Sequence, residues 1–492
     1  MSLINVSNLS FAYEGCGEMI FDNTSFQLDT DWKLGFTGRN GRGKTTFLSL
    51  LLGRYEYGGA ISASVAFEYF PFTVTDTSEN TVDIIAAVCP QYLHWQLIRE
   101  LTLLEVSEEV LYRPYESLSK GEQTKVLLAA LFLKENHFLL IDEPTNHLDR
   151  NARELVADYL AKKRGFILVS HDRAFLDRCV DHILSINKTG IEVQRGNFSS
   201  WWANKQAQDH FELAENERLK KDINRLKEAA NRTSEWSGQA EKTKYATRNA
   251  GLRPDRGYIG HKSAKMMKRA KSLQSRQQNA INEKASLLKN IESADELKLS
   301  PLVYHSAKLV ELINVSVNYK TRPVFDKVSF TIEQGDRIAL CGKNGSGKSS
   351  IIKLVCGQDI PYDGSFIKGS QLKVSYVSQV TDNLSGNLTD YARDKGLDES
   401  LFKAILRKLD FSRTQFEKDI AAFSAGQKKK VLIATSLCEK AHLYLWDEPL
   451  NYIDVLSRMQ IEQLLLAYKP TLLFVEHDSV FCERVATKQI RL

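Results

Sequence analysis

Four short blocks hold the residues whose types and spacing could do chemistry, and each occurs twice. Gly38-Arg39-Asn40-Gly41-Arg42-Gly43-Lys44-Thr45, followed by Thr46, recurs as Gly342-Lys343-Asn344-Gly345-Ser346-Gly347-Lys348-Ser349, followed by Ser350. Leu118-Ser119-Lys120-Gly121-Glu122-Gln123 recurs as Phe423-Ser424-Ala425-Gly426-Gln427-Lys428. Asp142-Glu143-Pro144 recurs as Asp447-Glu448-Pro449, and Ser170-His171-Asp172 as Glu476-His477-Asp478. The copies lie 304 to 306 residues apart, so the two halves repeat each other nearly without insertion.

The first block is a strand, Gly-x4-Gly-Lys-Thr/Ser, helix arrangement. Its glycines allow positive φ and close backbone approach, and its N–H groups and helix N-terminus face an anion. Lys44 is expected to reach the β/γ-phosphates of a nucleotide and Thr45 to bind Mg²⁺; Lys348 and Ser349 repeat them. The run from His137 to Glu143 reads as a buried parallel strand ending in two carboxylates, at the strand edge where an α/β sheet places ligand groups. Asp142 is expected to hold Mg²⁺, and Glu143 to polarise an attacking water. Asp447 and Glu448 are their copies. His171 and His477 end a further buried strand and are expected to contact the γ-phosphate.

The elements that must position these residues divide the chain into three. Residues 1–202 are expected to form one nucleotide-binding domain and residues 301–492 a second. Residues 203–300 belong to neither repeat. There Leu219, Ile223, Leu226 and Ala230 follow a coiled-coil spacing. A second apolar series runs from Met266 to Ile291, and Gly251, Pro254, Gly257 and Gly260 interrupt between them. The pattern predicts an antiparallel α-helical hairpin with its loop near Arg248–His261.

Net charge is +5, but between Lys242 and Arg276 eleven Lys and Arg face a single acid, Asp255. A basic patch on an otherwise mildly acidic body points to a polyanion partner. Trp236, Tyr245 and Tyr258 interleave with the charge, a composition suited to phosphates and unpaired bases. The seven cysteines are scattered, with no Cys-x-x-Cys pair, which argues against a disulfide framework, a zinc site or an iron–sulfur cluster. No basic patch followed by an apolar run opens the sequence, and no uncharged apolar run approaches the ~18–20 residues of a membrane span. A cytoplasmic location is expected.

The paired blocks resemble the ATP-binding cassette (ABC) family over both halves. The resemblance implies an α/β fold, two tandem ABC-type nucleotide-binding domains joined by the helical hairpin, with ATP and Mg²⁺ as cofactors and ATP hydrolysis as the reaction. It also implies head-to-tail sites within a monomer. Site one would combine Gly38, Asn40, Gly41, Gly43, Lys44, Thr45, Thr46, Asp142, Glu143 and His171 with Ser424, Gly426 and Gln427. Site two would combine Gly342, Asn344, Gly345, Gly347, Lys348, Ser349, Ser350, Asp447, Glu448 and His477 with Ser119, Gly121 and Glu122. Tyr13 and Tyr319 sit where the family stacks an aromatic on adenine. Gln379 matches the family's nucleotide- and Mg²⁺-contacting glutamine, but the aligned first-half position is Phe72. The second signature carries Ala425 where Gly is usual, and Leu450-Asn451-Tyr452-Ile453-Asp454 differs from Thr145-Asn146-His147-Leu148-Asp149. Phe72 and Ala425 both fall on site one, which is therefore expected to be the less regular.

Residues 142–149 and 170–177 are similar to the ABC-F subfamily, whose members act on ribosomes without membrane domains. Only 75 residues separate Lys44 from Ser119, leaving no room for the arm insertion of some housekeeping members, and 15 follow His477. Within the subfamily the antibiotic-resistance branch, and in it the Lsa-type proteins, is the nearest resemblance. It implies binding at the exit-site region of the large subunit. The linker would contact rRNA and P-site tRNA through Trp236, Lys244, Tyr245, Arg248, Arg253, Arg256, Tyr258, Ile259, His261 and Lys262. It implies protection from lincosamides, streptogramins A and pleuromutilins. A housekeeping ABC-F translation factor is the close alternative. A fused importer ATPase would need a permease, and the basic hairpin argues against it; a DNA-repair ATPase is a third class, which nuclease-sensitive binding to DNA rather than to ribosomes would favour.

Overall fold

The computed structural model describes residues 2–13, 19–146, 148–187, 190–242, 268, 272, 275–276, 297–319, 322–343, 345–381 and 384–492. It divides into two compact units, Met1–Trp201 with Ala294–Leu492, and Trp202–Ser293.

In the first half the strands are β1 (Leu3–Phe11), β2 (Phe21–Asp29), β3 (Lys33–Thr37), β4 (Gly58–Ser62), β5 (Ala66–Phe70), β6 (His137–Asp142), β7 (Phe166–Val169), β8 (His182–Asn187) and β9 (Gly190–Arg195). β1 alternates, burying Ile4, Val6, Leu9 and Phe11. The alternation survives a register shift between Val6 and Leu9, where Asn8 takes φ 53°. β1 pairs with β2 and β4 in an antiparallel sheet. β3, β6 and β7 are instead nearly continuous apolar runs, as expected of parallel strands covered on both faces. They lie in a sheet of order β5-β6-β7-β3-β8-β9, with only β9 antiparallel to its neighbour.

The second half repeats this plan with β10 (Lys308–Tyr319), β11 (Arg322–Glu333), β12 (Arg337–Cys341), β13 (Tyr362–Lys368), β14 (Val374–Val377), β15 (Leu443–Asp447), β16 (Leu472–Val475) and β17 (Lys488–Arg491). The orders are β11-β10-β13 and β14-β15-β16-β12-β17. Asn314, at φ 48°, repeats the Asn8 irregularity. Leu297 and Leu299, ahead of the boundary expected at 300, are buried in the second half's core. The six described cysteines are free.

The helix Phe198–Lys242 begins before Trp201-Trp202, where the first domain was expected to end. Asn197 starts it, accepting from the Ser200 amide at 3.0 Å. Ile223 is buried along it. The loop expected near 248–261 lies outside the described residues, as does most of the second arm, of which 268, 272 and 275–276 are helical.

The halves meet through buried charge. Arg173 opens the helix Arg173–Cys179 and donates to Glu462 Oε2 at 2.6 Å, while Arg484 donates to Oε1 at 2.6 Å. The Arg173 and Glu462 side chains are 7% and 3% exposed. Removing one partner of a buried pair strands the other charge, at a cost of about 3–5 kcal/mol, whereas replacing both by apolar groups is often neutral. Glu462→Ala should therefore lower the unfolding free energy measured in urea by that order, and Arg173→Met with Glu462→Met should regain most of it. A double variant as unstable as the single would show that the pair's charge is not what matters.

Candidate functional site

Each predicted phosphate loop joins the end of a buried parallel strand to a helix, β3 to Lys44–Leu51 and β12 to Lys348–Cys356. The turn needs glycine at two points in each copy. Gly43 and Gly347 stand at φ 94° and 88°, and a Cβ there would lie 2.5 Å from Ile20 and from Val324 and Phe325. Gly41 and Gly345, at φ 83° and 82°, have open space where a Cβ would be. Phe47 anchors the first helix, its ring 5.6–6.1 Å from those of Phe21, Phe26 and Phe36. Lys44 Nζ folds back onto Gly38 O at 2.7 Å, Arg39 O and Asn40 Oδ1, and Lys348 onto Gly342 O and Lys343 O at 2.9 and 2.8 Å. Burial pushes both ammonium groups below their usual range.

The blocks at Ser119 and Ser424 are helix N-caps. Ser119 Oγ accepts from the Glu122 amide while the Glu122 carboxylate accepts from the Ser119 amide at 2.8 Å. Ser424 and Gln427 repeat this at 3.3 and 3.0 Å. The reciprocal bonds fix the first turns of helices Lys120–Leu131 and Ala425–Cys438 and leave amide dipoles pointing outward.

Two cavities bring these pieces together, each from both halves. Cavity one, about 530 Å³, combines Asn40, Gly41, Gly43, Lys44, Thr45, Thr46, Asp142, Glu143 and His171 with Ser424, Ala425, Gly426 and Gln427. Cavity two, about 1040 Å³, combines Gly345, Gly347, Lys348, Ser349, Ser350, Gln379, Glu448 and His477 with Ser119, Gly121 and Glu122. Asp447 lies beneath cavity two, accepting from Ser349 Oγ at 3.2 Å. Tyr13 lines cavity one and shares a 2.9 Å hydrogen bond with Thr46 Oγ1. Asn344, the Tyr319 side chain, the Trp236 side chain and residues 244–262 of the linker assignment lie outside the described residues.

Cavity one is the narrower because the halves touch around it. Arg39 and Arg42 pair with Asp410 at 3.5 and 3.7 Å, and Asn40 Nδ2 donates to Tyr452 O at 2.9 Å. Lys343 and Glu105 hold the matching positions and both line cavity two. Neither set was read from the sequence, because nothing local marks which residues meet across a pseudo-twofold interface.

The carboxylate pairs also differ. Glu143 and Glu448 both leave their strands at positive φ, 49° and 47°, their amides held by Val169 O and Val475 O. His171 Nε2 lies 3.3 Å from Glu143 Oε1, and His477 Nε2 lies 3.4 Å from Glu448 Oε1. Glu448 additionally accepts from Gln379 Nε2 at 2.9 Å and Asn451 Nδ2 at 2.6 Å. Gln379, expected at the metal, thus serves Glu448 here. At the aligned position Phe72 turns away, with the Lys134 ammonium 5.6 Å from its ring centroid. Glu143 Oε1 is buried with no hydrogen bond. Instead a residue missed in the sequence, Tyr69, donates to Asp142 Oδ2 at 2.9 Å.

Electrostatics follow. Burial, with Asp142 beside it, pushes Glu143 up to about 8, and burial holds His171 neutral, well below its usual range. Burial also works against Glu448, but the hydrogen bonds and charges of His477, Gln379 and Lys429 outweigh it and hold the carboxyl below its usual range. The two groups therefore contribute to ligand-free stability with opposite pH dependence. The folded protein keeps a proton on Glu143 that the unfolded chain releases, so stability falls from pH ~4.5 to 8 by up to about 1.4 kcal/mol per unit. Glu448 contributes stability above pH ~4.5 that is lost on acidification through its lowered folded pKa. Unfolding at pH 5, 6.5 and 8 should show Glu143→Gln gaining on the parent protein as pH rises, and Glu448→Gln less stable than the parent at neutral pH. Parallel pH profiles for the two variants would contradict this assignment.

The family described as ABC transporter matches residues 21–146 and 325–451. The chain is 26% identical over 495 residues to the ribosome protection protein VmlR of Bacillus subtilis, covering 99% of this chain and 86% of that protein. It is 28% identical over 382 residues to the energy-dependent translational throttle protein EttA of Haemophilus influenzae, covering 76% of this chain and 63% of that protein. Among solved structures, the complex of archaeal ribosomal stalk protein aP1 and ribosome recycling factor aABCE1 has a chain that superposes with a TM-score of 0.65 at 18% identity, covering 98% of this chain and 87% of that one. At that identity the likeness is one of fold.

Proposed function

The chain belongs to the ABC transporter family as an ABC-F ATPase with two tandem domains, and on that footing we propose that ATP binding and hydrolysis drive its attachment to and release from the ribosome. The observation that carries the reading is the composition of the cavities. Each joins one half's phosphate loop to the other half's capped helix, so a nucleotide in either cavity ties the halves together.

Within each site the geometry supports the following roles. The loop amides and Lys44 or Lys348 receive the phosphates, displacing the lysine from its own loop carbonyls. Ser119 and Ser424, with the helix N-termini behind them, meet the phosphates from the opposite half. Glu143 and Glu448 orient the attacking water, and His171 and His477 face the same carboxylates. Tyr13 offers a ring face to adenine. Thr45 with Asp142, and Ser349 with Asp447, supply hard oxygen donors that fit Mg²⁺, which keeps several waters and takes its other ligands from phosphate. Bound there, the ion neutralises phosphate charge.

The likeness to VmlR, together with the basic segment between Lys242 and Arg276, supports a role in ribosome protection. In that role the linker enters by the exit site and contacts rRNA and P-site tRNA. It then dislodges lincosamides, streptogramins A or pleuromutilins. A housekeeping translation factor is the second reading, favoured by the likeness to EttA. Both place the protein in the cytoplasm. No helix among the described residues is long and apolar enough to cross a membrane.

Glu143→Gln with Glu448→Gln should keep ATP binding, stop hydrolysis and trap the protein on ribosomes in co-sedimentation. Normal turnover, or no co-sedimentation with ATP, would refute the roles. Because Glu448 is oriented by hydrogen bonds from Gln379 and Asn451 whereas Glu143 Oε1 has none, Glu448→Gln alone should slow turnover more than Glu143→Gln alone; equal losses would remove the asymmetry.

The linker has its own test. Alanine at Arg248, Arg253 and Arg256 should weaken ribosome binding with a reduced salt dependence. Alanine at Tyr245, Tyr258 and Ile259 should lower drug resistance in a sensitive host while binding and ATPase persist. Unchanged resistance when a Gly/Ser segment replaces residues 248–261 would leave the linker as a spacer, and absence of any resistance phenotype would favour the translation-factor reading.

A further inference from the structure

The helix Ala425–Cys438 carries a buried cation, Lys429, that lines neither cavity. Lys429 is 2% exposed, and its Nζ donates to Ser378 O at 2.8 Å, Gln379 O at 3.4 Å and Asp447 O at 3.3 Å. Two of these carbonyls belong to the loop that follows β14 and the third to the last residue of β15. All three lie behind cavity two. The N-terminus of the same helix faces cavity one through Ser424 and Gly426. Lys429 lies five positions beyond Ser424, about 7.5 Å of helix at 1.5 Å per residue. One rigid turn and a half therefore touches both sites.

The first half lacks this connection and its loop differs in step. The matching residue, Thr124, donates its hydroxyl to Lys120 O of its own helix at 2.9 Å. Strand registers confirm the comparison: Tyr69 and Phe70 face Leu140 and Ile141 just as Tyr376 and Val377 face Leu445 and Trp446. Two residues further on, Gln379 turns inward to Glu448, whereas Phe72 turns outward to Lys134. A lysine behind the loop accompanies the inward amide, and a threonine accompanies the outward ring.

We propose that Lys429 is a positioning residue that pins the Gln379 loop to β15, sets Glu448 through the Gln379 amide, and carries the state of the signature helix at site one to the carboxylate at site two. The connection runs in one direction, from site one to site two, since Thr124 offers no counterpart bond. Three carbonyl dipoles converge on the ammonium, and Glu476, Asp447 and Glu448 supply compensating charge nearby. Such compensation is what a buried cation requires. The inference rests on the reading of Glu448 as the water-orienting group.

The experiment uses the full chain and steady-state ATP hydrolysis. Lys429→Gln keeps a donor but loses reach and charge; Lys429→Thr copies the first half; Lys429→Arg keeps the charge. Lys429→Gln and Lys429→Thr should lower kcat by about tenfold or more, a fraction of the 10²–10⁴ that a positioned general base supplies, with KM for ATP moving far less. Lys429→Arg should recover part of the loss. Lys429→Gln combined with Gln379→Ala should be no slower than the worse single variant, since both act through one contact. In a Glu143→Gln background, Ser424→Ala should slow the remaining turnover, and Lys429→Gln should abolish that sensitivity. Additive losses, an unchanged kcat, or a Ser424→Ala effect that survives Lys429→Gln would overturn the proposal. Should Lys429→Thr fail to melt cooperatively, the Gln and Arg variants carry the same comparisons. Glu448→Gln with parental turnover would instead overturn the underlying site reading, so the two failures are distinguishable.

Discussion

The organisation of this molecule depends on one interaction, the reciprocal bond between Ser119 and Glu122 and its repeat between Ser424 and Gln427. A capping box normally satisfies a helix's own amides. Here it also holds the helix start rigid at the rim of a cavity whose phosphate loop belongs to the opposite half. Each cavity draws its lining from both halves, so a ligand bound in either one bridges them. Such a design needs a contact that keeps the halves in register apart from the ligand. Arg173 and Glu462 supply it from helices outside both cavities. An ion pair suits that place because its geometry is directional, and mispairing would bury an uncompensated charge.

The repeat is close in backbone plan, the first half's main sheet carrying one more described strand, β9, and it is inexact in side chains, where the differences come in matched groups. In the first half Thr145 and Ser170 lie with hydroxyls 3.4 Å apart. In the second, Leu450 and Glu476 replace them, and Glu476 Oε1 accepts from the Leu450 amide at 2.7 Å. Likewise Gln379, Asn451 and Lys429 surround Glu448, whereas Glu143 has His171, and the nearby tyrosine hydroxyl goes to Asp142. Each substitution is compensated within its own half. The asymmetry is therefore built into the packing of two adjacent strand ends.

How much of this the sequence discloses depends on the range of the signal. Phosphate loops, strand-end carboxylates and capping boxes are local patterns, fixed by φ requirements, apolar runs and three-residue spacings. The corresponding strands stand where those patterns put them. The helix Phe198–Lys242 starts at Asn197 and runs through the double tryptophan near which the two compact units divide, so helix start and unit boundary do not coincide. What could not be read is pairing between distant segments: Asp410 with Arg39 and Arg42, Lys429 with the Gln379 loop, Tyr69 with Asp142. A tyrosine on a buried strand is ordinarily core, and only the fold shows that this one ends at a carboxylate. Phe72 illustrates the reverse. The sequence identified a missing glutamine, but not that the ring would leave the cavity for Lys134.

Geometry and chemistry are distributed unequally between the cavities. Cavity one is held narrow by three cross-half contacts, so part of the entropic cost of assembling it is met before ligand arrives. Yet its carboxyl has a buried oxygen with no hydrogen bond to orient it. Cavity two is about twice as large, and Lys343 and Glu105 face it as oppositely charged groups at the positions of the Arg39–Asp410 contact. Its carboxylate is already oriented by Gln379 and Asn451. In the proposed cycle the site that is assembled lacks the ready base, and the site with the ready base still has to close. Closure of cavity two would bring Lys343 toward Glu105 and Ser119 toward the phosphates. Hydrolysis would then follow the movement of the halves rather than precede it. That order is what a protein must have if the closed state is the one that does its work and hydrolysis only ends it.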